Sequence, residues 1–222
     1  MVRRAVAPPR RRGRVVARPD VLASLAARIP RPGRPVLVAV DGADGAGKTV
    51  LADDLAPLVP GSVRASLDDF HHPRAFRHAQ GRTGATVWER TFDLAAVRLE
   101  LLDPWRRGSG SPYRRRWHDL RTDGRVDAPT HVVPQDGVLL VDGVFAQRPE
   151  LADAWDLVIW VHADDDVRLA RMAARDGVPD DPDHPDQRRY LDAQAIYQET
   201  CRPRGNADVL VDNTDPDAPV IR

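Results

Sequence analysis

An apolar run, Val36–Val40, leads through Asp41 directly into Gly42-Ala43-Asp44-Gly45-Ala46-Gly47-Lys48-Thr49. These residues fit G-x-x-x-x-G-K-[ST] at every fixed position, and few local patterns restrict a fold as tightly. The β-branched run reads as a strand buried on both faces. The stretch from Lys48 to Leu58 reads as a helix. Glycines at that junction let the backbone take positive φ and turn its N–H groups inward around an anion. The helix N-terminus adds partial positive charge. Such a loop holds nucleotide phosphates, with Lys48 reaching the β- and γ-phosphates and Thr49 offering a hydroxyl to Mg²⁺. ATP and Mg²⁺ are therefore the expected cofactors, bound along Gly42, Ala43, Asp44, Gly45, Ala46, Gly47, Lys48 and Thr49.

The rest of the chain alternates in the same way. Ser62–Ser66, Val138–Val141, Leu157–Val161 and Ala207–Val211 read as further strands, and Leu94–Leu102, Val167–Asp176 and Gln187–Thr200 as helices. The expectation is an α/β chain of the P-loop NTPase fold, with a mostly parallel five-stranded sheet flanked by helices. Residues 103–136 have weak periodicity and several turn residues, which suggests a hairpin within a long functional loop.

Composition narrows the partners. The 222 residues carry no formal net charge, so no global field draws the chain to nucleic acid or membrane. Arginines do crowd the start of the sequence, seven of them before Asp20. Like charges mixed with Pro and Gly seldom fold, so residues 1–19 read as a disordered tail. A nucleic-acid function would rest on that tail alone. Asp20 reads as the N-cap of a helix over Val21–Ile29, and the folded domain as residues 20–222. Cys201 is the sole cysteine, which excludes an internal disulfide and fits a reducing, cytoplasmic setting. No apolar run approaches bilayer-spanning length. Of the 33 basic residues only Lys48 is lysine, and it stands inside the phosphate motif.

Two further acidic positions carry chemistry. Val138-Leu139-Leu140-Val141-Asp142-Gly143 is an apolar strand ending in an acid, the pattern of a Walker B strand whose carboxylate holds Mg²⁺. Ser66-Leu67-Asp68-Asp69-Phe70 puts paired acids after a strand, where a carboxylate can orient an acceptor hydroxyl and take its proton. The residues alone do not separate Asp68 from Asp69. Downstream, Arg168, Arg171 and Arg175 share one helical face, from which guanidinium groups can meet phosphates in transfer.

In this order the motifs resemble the uridine kinase and phosphoribulokinase group, from Val36 to the end of the chain. The resemblance implies ATP-dependent phosphoryl transfer to a hydroxyl of a small molecule, most simply a nucleoside such as uridine or cytidine. It implies Asp68 as base, with Thr49, Asp142 and Asp68 around the metal. Lys48 of the phosphate loop would be catalytic, as would Arg168 and Arg171 on a lid of about residues 168–190. Asp93, Tyr113, His118, Arg168 and Gln194 would hold the acceptor. A homo-oligomer is compatible with such a protein.

Two features depart from the family pattern. The lid loop is rich in Pro and Asp instead of carrying R-G-R, and Arg114, Arg115 and Arg116 stand between Tyr113 and His118. Those arginines would suit an anionic acceptor, such as pantothenate or a sugar phosphate. A regulatory ATP-binding module with little transfer activity is a further reading. A GTPase is disfavoured, because Asn213-Thr214-Asp215-Pro216 is not the guanine-selecting N-K-x-D.

Overall fold

The structure, a computed structural model, describes residues 18–177, 179 and 181–222. The arginine-rich tail reading falls on residues 1–19 and so lies almost wholly outside the described residues.

The strands in chain order are β1 (Val36–Gly42), β2 (Ser62–Ser66), β3 (Pro112–Tyr113), β4 (His118–Asp119), β5 (Gly124–Arg125), β6 (His131–Val132), β7 (Val138–Asp142), β8 (Leu157–His162), β9 (Val209–Asp212) and β10 (Val220–Ile221). The main sheet runs β10-β9-β8-β1-β7-β2. Its β2, β7, β1, β8 and β9 are parallel, as the apolar runs predict. The sixth strand, β10, was not foreseen; it adds antiparallel to β9 at the edge. Its two residues are too few to show a periodicity.

The helices are α1 (Arg18–Arg28), α2 (Lys48–Leu55), α3 (Arg74–His78), α4 (Gly84–Arg90), α5 (Leu94–Ala96), α6 (Asp103–Arg107), α7 (Asp165–Asp176), α8 (Pro185–Cys201) and α9 (Pro203–Asn206). Helix α1 already includes Arg18, so Asp20 sits in its first turn and is not its cap. Arg18 donates to Asp54 at 2.6 Å and to the Pro216 carbonyl at 2.8 Å, which ties the helix start to α2 and to the C-terminal segment. After α2 the expected helix tightens into a 3₁₀ turn over Ala56–Leu58, and α5 runs on into a π-type stretch over Val97–Leu102.

The expected hairpin is two nested antiparallel pairs. Strand β3 pairs with β6, and inside them β4 pairs with β5. Trp117 donates its backbone N–H to the Asp69 carbonyl at 2.9 Å, which docks the hairpin on the turn after β2.

Every residue of β1 is buried, so its two faces feed two cores. Val36, Val38 and Val40 pack with α1 and α2 through residues such as Leu25 and Leu51. Leu37 and Ala39 face Leu139, Val141, Trp160 and Tyr197 on the other side. Asp41, at the end of this strand, has no exposure to water. Its carboxylate accepts from the Gly42 N–H at 2.7 Å, the Gln147 amide at 3.0 Å and the Tyr197 hydroxyl of α8. Burial pushes the Asp41 carboxyl above the usual range, opposed by those three donors. Removing one donor leaves a buried acceptor short. Tyr197→Phe is expected to cost about 1–3 kcal/mol, read as a lower urea midpoint at unchanged m-value.

Candidate nucleotide and acceptor site

The phosphate loop leaves the C-terminal end of β1, between β7 and β8, where parallel sheets present their ligand sites. Gly45 and Gly47 take φ of 75° and 92°, in the left-handed region. Their missing side chains matter as much as their dihedrals. A Cβ on Gly45 would stand 2.4 Å from the Arg168 carbonyl oxygen, and one on Gly47 would stand 2.5 Å from the Asn213 amide nitrogen. That amide donates to the Ala46 carbonyl at 2.8 Å and props the loop from β9's end.

Lys48 begins α2 and donates to the Ala43 carbonyl at 2.9 Å, so the ammonium lies across the loop. Thr49 donates its hydroxyl to Asp142 at 2.5 Å. The other Asp142 oxygen takes Arg64 at 2.9 Å. Among the described residues no cluster of three or more His, Cys, Asp or Glu side chains could cage a metal. Mg²⁺ does not need one. It is held by one or two protein oxygens plus substrate phosphates, and the Thr49–Asp142 pair beside the loop is such a donor set. The residues present therefore fit MgATP.

A cavity of about 420 Å³ opens beside the loop. Lys48, Thr49, Asp142 and Asp68 line one side, and Met172, Arg175 and Tyr190 of α7 and α8 the other. Phe92, Phe145 and Leu120 give it apolar walls. The turn after β2 separates the paired acids. Ser66 caps a 3₁₀ turn over Leu67–Phe70, and successive residues of such a turn point about 120° apart. Asp68 faces the cavity, whereas Asp69 turns away to Arg116 at 2.9 Å. Crowding by protein pushes the Asp68 carboxyl up to about 6, opposed by Lys48 and assisted by Asp44 and Asp142. The carboxylate remains reachable from the cleft. His71 shares a hydrogen bond of 2.8 Å with the Asp68 carbonyl, and burial lowers its pKa to about 4, so it is neutral at pH 7.

The other expected site residues are placed as follows. Arg168 donates to the Asp44 carbonyl at 3.0 Å and to Asp165 at 2.7 Å. Arg171 donates to the carbonyls of Gly45 at 3.3 Å, Asn213 at 3.2 Å and Thr214 at 3.0 Å. Both brace the phosphate loop from behind, and Arg175 is the guanidinium of α7 that lines the cavity. Asp93 caps α5 through the Ala96 N–H at 3.0 Å. Tyr113 is buried edge-on against Trp105, with ring centres 5.5 Å apart. His118 is buried, with Nε2 3.4 Å from Asp123. Gln194 faces a separate cavity of about 440 Å³ beside Trp160 and Arg168. Asp93, Tyr113, His118, Arg168 and Gln194 are thus not among the residues lining the 420 Å³ cavity. Its walls are Phe92, Phe145, Tyr190, Met172 and Arg175, which the sequence reading did not single out as acceptor-binding. Among them, Phe92 adjoins Asp93, and Arg175 belongs to the arginine face read on α7.

No family model matches the chain. The uridine kinase of Latilactobacillus sakei is 27% identical over 146 residues, covering 64% of this chain and 67% of that enzyme. That of Saccharomyces cerevisiae is 32% identical over 153 residues, covering 64% of this chain and 29% of the yeast protein. Among solved structures, a protein described as a possible uridine kinase from Bacillus stearothermophilus superposes with a TM-score of 0.68 at 22% identity, covering 86% of this chain and 95% of that one. The chain is thus similar in sequence to uridine kinases. Its α/β architecture and phosphate loop are those of the P-loop kinase fold. The sequence match spans about two thirds of the bacterial enzyme and under a third of the yeast protein. Among the described residues no helix is long and apolar enough to cross a membrane.

The loop geometry gives a direct test. Gly45→Ala must both strain its φ and move the Arg168 backbone. It is expected to weaken MgATP binding at least tenfold by calorimetry with the far-UV spectrum unchanged. Gly33→Ala, at φ 75° but with nothing within 4 Å of its Cβ, should leave nucleotide affinity intact.

Proposed function

We propose that the protein is an ATP-dependent small-molecule kinase that transfers the γ-phosphoryl group to an acceptor hydroxyl. The observation that carries this reading is the position of Asp68. It is a carboxylate that lines the same cavity as Lys48, Thr49 and Asp142, with space beside it for an acceptor.

Lys48 and the loop N–H groups bind and orient the triphosphate. Thr49 and Asp142 would hold Mg²⁺, which when bound would neutralise phosphate charge. Asp68 accepts the hydroxyl's hydrogen bond and holds the oxygen in line. The acceptor oxygen bonds to the γ-phosphorus, the bridging P–O bond breaks toward ADP, and the acceptor proton passes to Asp68. Arg175 lies across the cavity, where it can meet the charge spread over the transferring group. Arg168 and Arg171 contribute by holding the carbonyls of Asp44 and Gly45, which keeps the loop's N–H groups turned inward. Catalysis of this kind is mostly positioning and electrostatics.

The likeness to uridine kinases makes uridine and cytidine the first acceptors to try, and the aromatic walls suit a flat ring. The anionic-acceptor reading built on residues 114–116 loses its basis. Arg114 pairs with Glu100 at 2.8 Å, Arg116 pairs with Asp69, and Arg115 lines a different depression with Arg64 and His131.

Asp68→Asn should bind MgATP as the wild type does and lose about 10²–10⁴ in turnover. Because the Asp68 carboxyl titrates near 6, it stays protonated to higher pH than an ordinary aspartate. Activity should therefore rise with pH through about 6 and level off above it. A rate of ADP release that is flat from pH 5 to 8, or wild-type turnover in Asp68→Asn, would remove Asp68 from the base role.

A further inference from the structure

A side chamber of about 50 Å³ adjoins the acceptor cavity and shares His71, Val87, Thr91 and Tyr190 with it. Arg77, Arg82 and Arg189 line it together with His71 and His78, and no carboxylate is among its lining residues. The cations come from three places in the chain: α3, the loop before α4, and the first turns of α8. The fold has therefore brought them together across long sequence separation. Asp186, beside the chamber, is already shared, at 2.5 Å from Arg82 and 3.6 Å from Arg189, and Asp123 is the acid whose charge bears on Arg77. Arg77 donates to the His72 carbonyl at 2.9 Å and makes no ion pair among the described residues. The chamber's charge is visible in its effects. Burial lowers the Arg77 pKa, and burial first, with Arg77, Arg82 and Arg189 adding to it, pushes the His78 pKa down. Gathering like charges in a half-buried recess is unfavourable unless an anion joins them. Guanidinium groups also match phosphate and carboxylate better than any other cation does.

We propose that this chamber binds an anionic group, phosphate or carboxylate, at the end of the acceptor remote from the hydroxyl. This rests on the kinase reading above and narrows it to a charged acceptor. His71 links the two compartments, since it lines both and bonds the Asp68 carbonyl. An acceptor seated with its anion against Arg77 and Arg189 lies along the Tyr190 and Val87 wall and reaches Asp68 with its other end. The three arginines thus set specificity and do not take part in the transfer.

Two experiments test this, the second without turnover. In the first, ADP release is measured with matched acceptors that differ in charge: pantothenate and panthenol, glycerate and glycerol, ribulose 5-phosphate and ribulose, alongside uridine and cytidine. The expected result is a preference of at least tenfold in kcat/KM for a charged member. Arg77→Ala and Arg189→Ala should each raise its KM about ten- to a hundredfold, with the KM for ATP unmoved. Arg115→Ala, outside both compartments, should keep the preference. In the second, inorganic phosphate is titrated calorimetrically into the protein saturated with MgADP, which fills the phosphate loop. Phosphate binding should be lost in Arg77→Ala and Arg189→Ala and kept in Arg115→Ala. Best turnover with a neutral acceptor overturns the proposal and leaves the kinase reading standing. Phosphate binding that is absent, or equal in wild type and both chamber variants, overturns it whatever the turnover. Silence with every acceptor, together with arginine-dependent phosphate binding, upholds the anion site and counts against the kinase reading.

Discussion

A carboxylate shut away from water at the end of the central strand is the constraint on which the site's geometry depends. Asp41 stands one residue before the phosphate loop. A buried carboxylate is tolerated only when its oxygens are satisfied. Its donors come from the loop's first glycine, from the segment after β7 and from the middle of α8. Satisfying one side chain therefore fixes α8 against the sheet at the level of the loop. Tyr190 lies about two turns nearer the start of the same helix and forms a wall of the acceptor cavity. The distance between loop and acceptor wall is set by this one polar knot, within a packed aromatic cluster of Trp88, Phe145 and Tyr197.

What could be read from the sequence was what is encoded locally. A loop that wraps phosphate does so with consecutive residues, so Gly42–Thr49 declares itself. Buried parallel strands such as β1, β7 and β8 are short apolar runs, and all five parallel strands were recognisable. The two-residue β10 has no such run. The acceptor cavity was less legible because no segment owns it. Phe92, Phe145, Met172 and Tyr190 meet only after the chain has crossed the sheet several times. Asp68 and Asp69 are chemically identical neighbours, and only the turn that splays them gives one to the cavity and the other to Arg116.

The arginines teach a similar lesson. Spacing correctly put Arg168, Arg171 and Arg175 on one face of α7, yet a helical face spans a full 10 Å in height between its first and last members. The first two reach the carbonyls of the loop and only the third looks into the cavity. The run Arg114–Arg116 seemed in sequence the natural anion site. Arg114 and Arg116 have separate local partners and Arg115 lines another depression, while Arg77, Arg82 and Arg189, which line one chamber, come from separate stretches of the chain.

One compositional oddity takes on a practical meaning once the loop is seen in place. Lys48 is the sole lysine, it is 9% exposed, and it lies folded over the Ala43 carbonyl in the nucleotide's own seat. Apart from a chain terminus the molecule thus offers amine-directed reagents a single target. Acylation or reductive methylation, which in most proteins scatters over the surface, would here report on one atom. The rate at which that nitrogen is modified becomes a gauge of how often the loop stands open, without any engineered label.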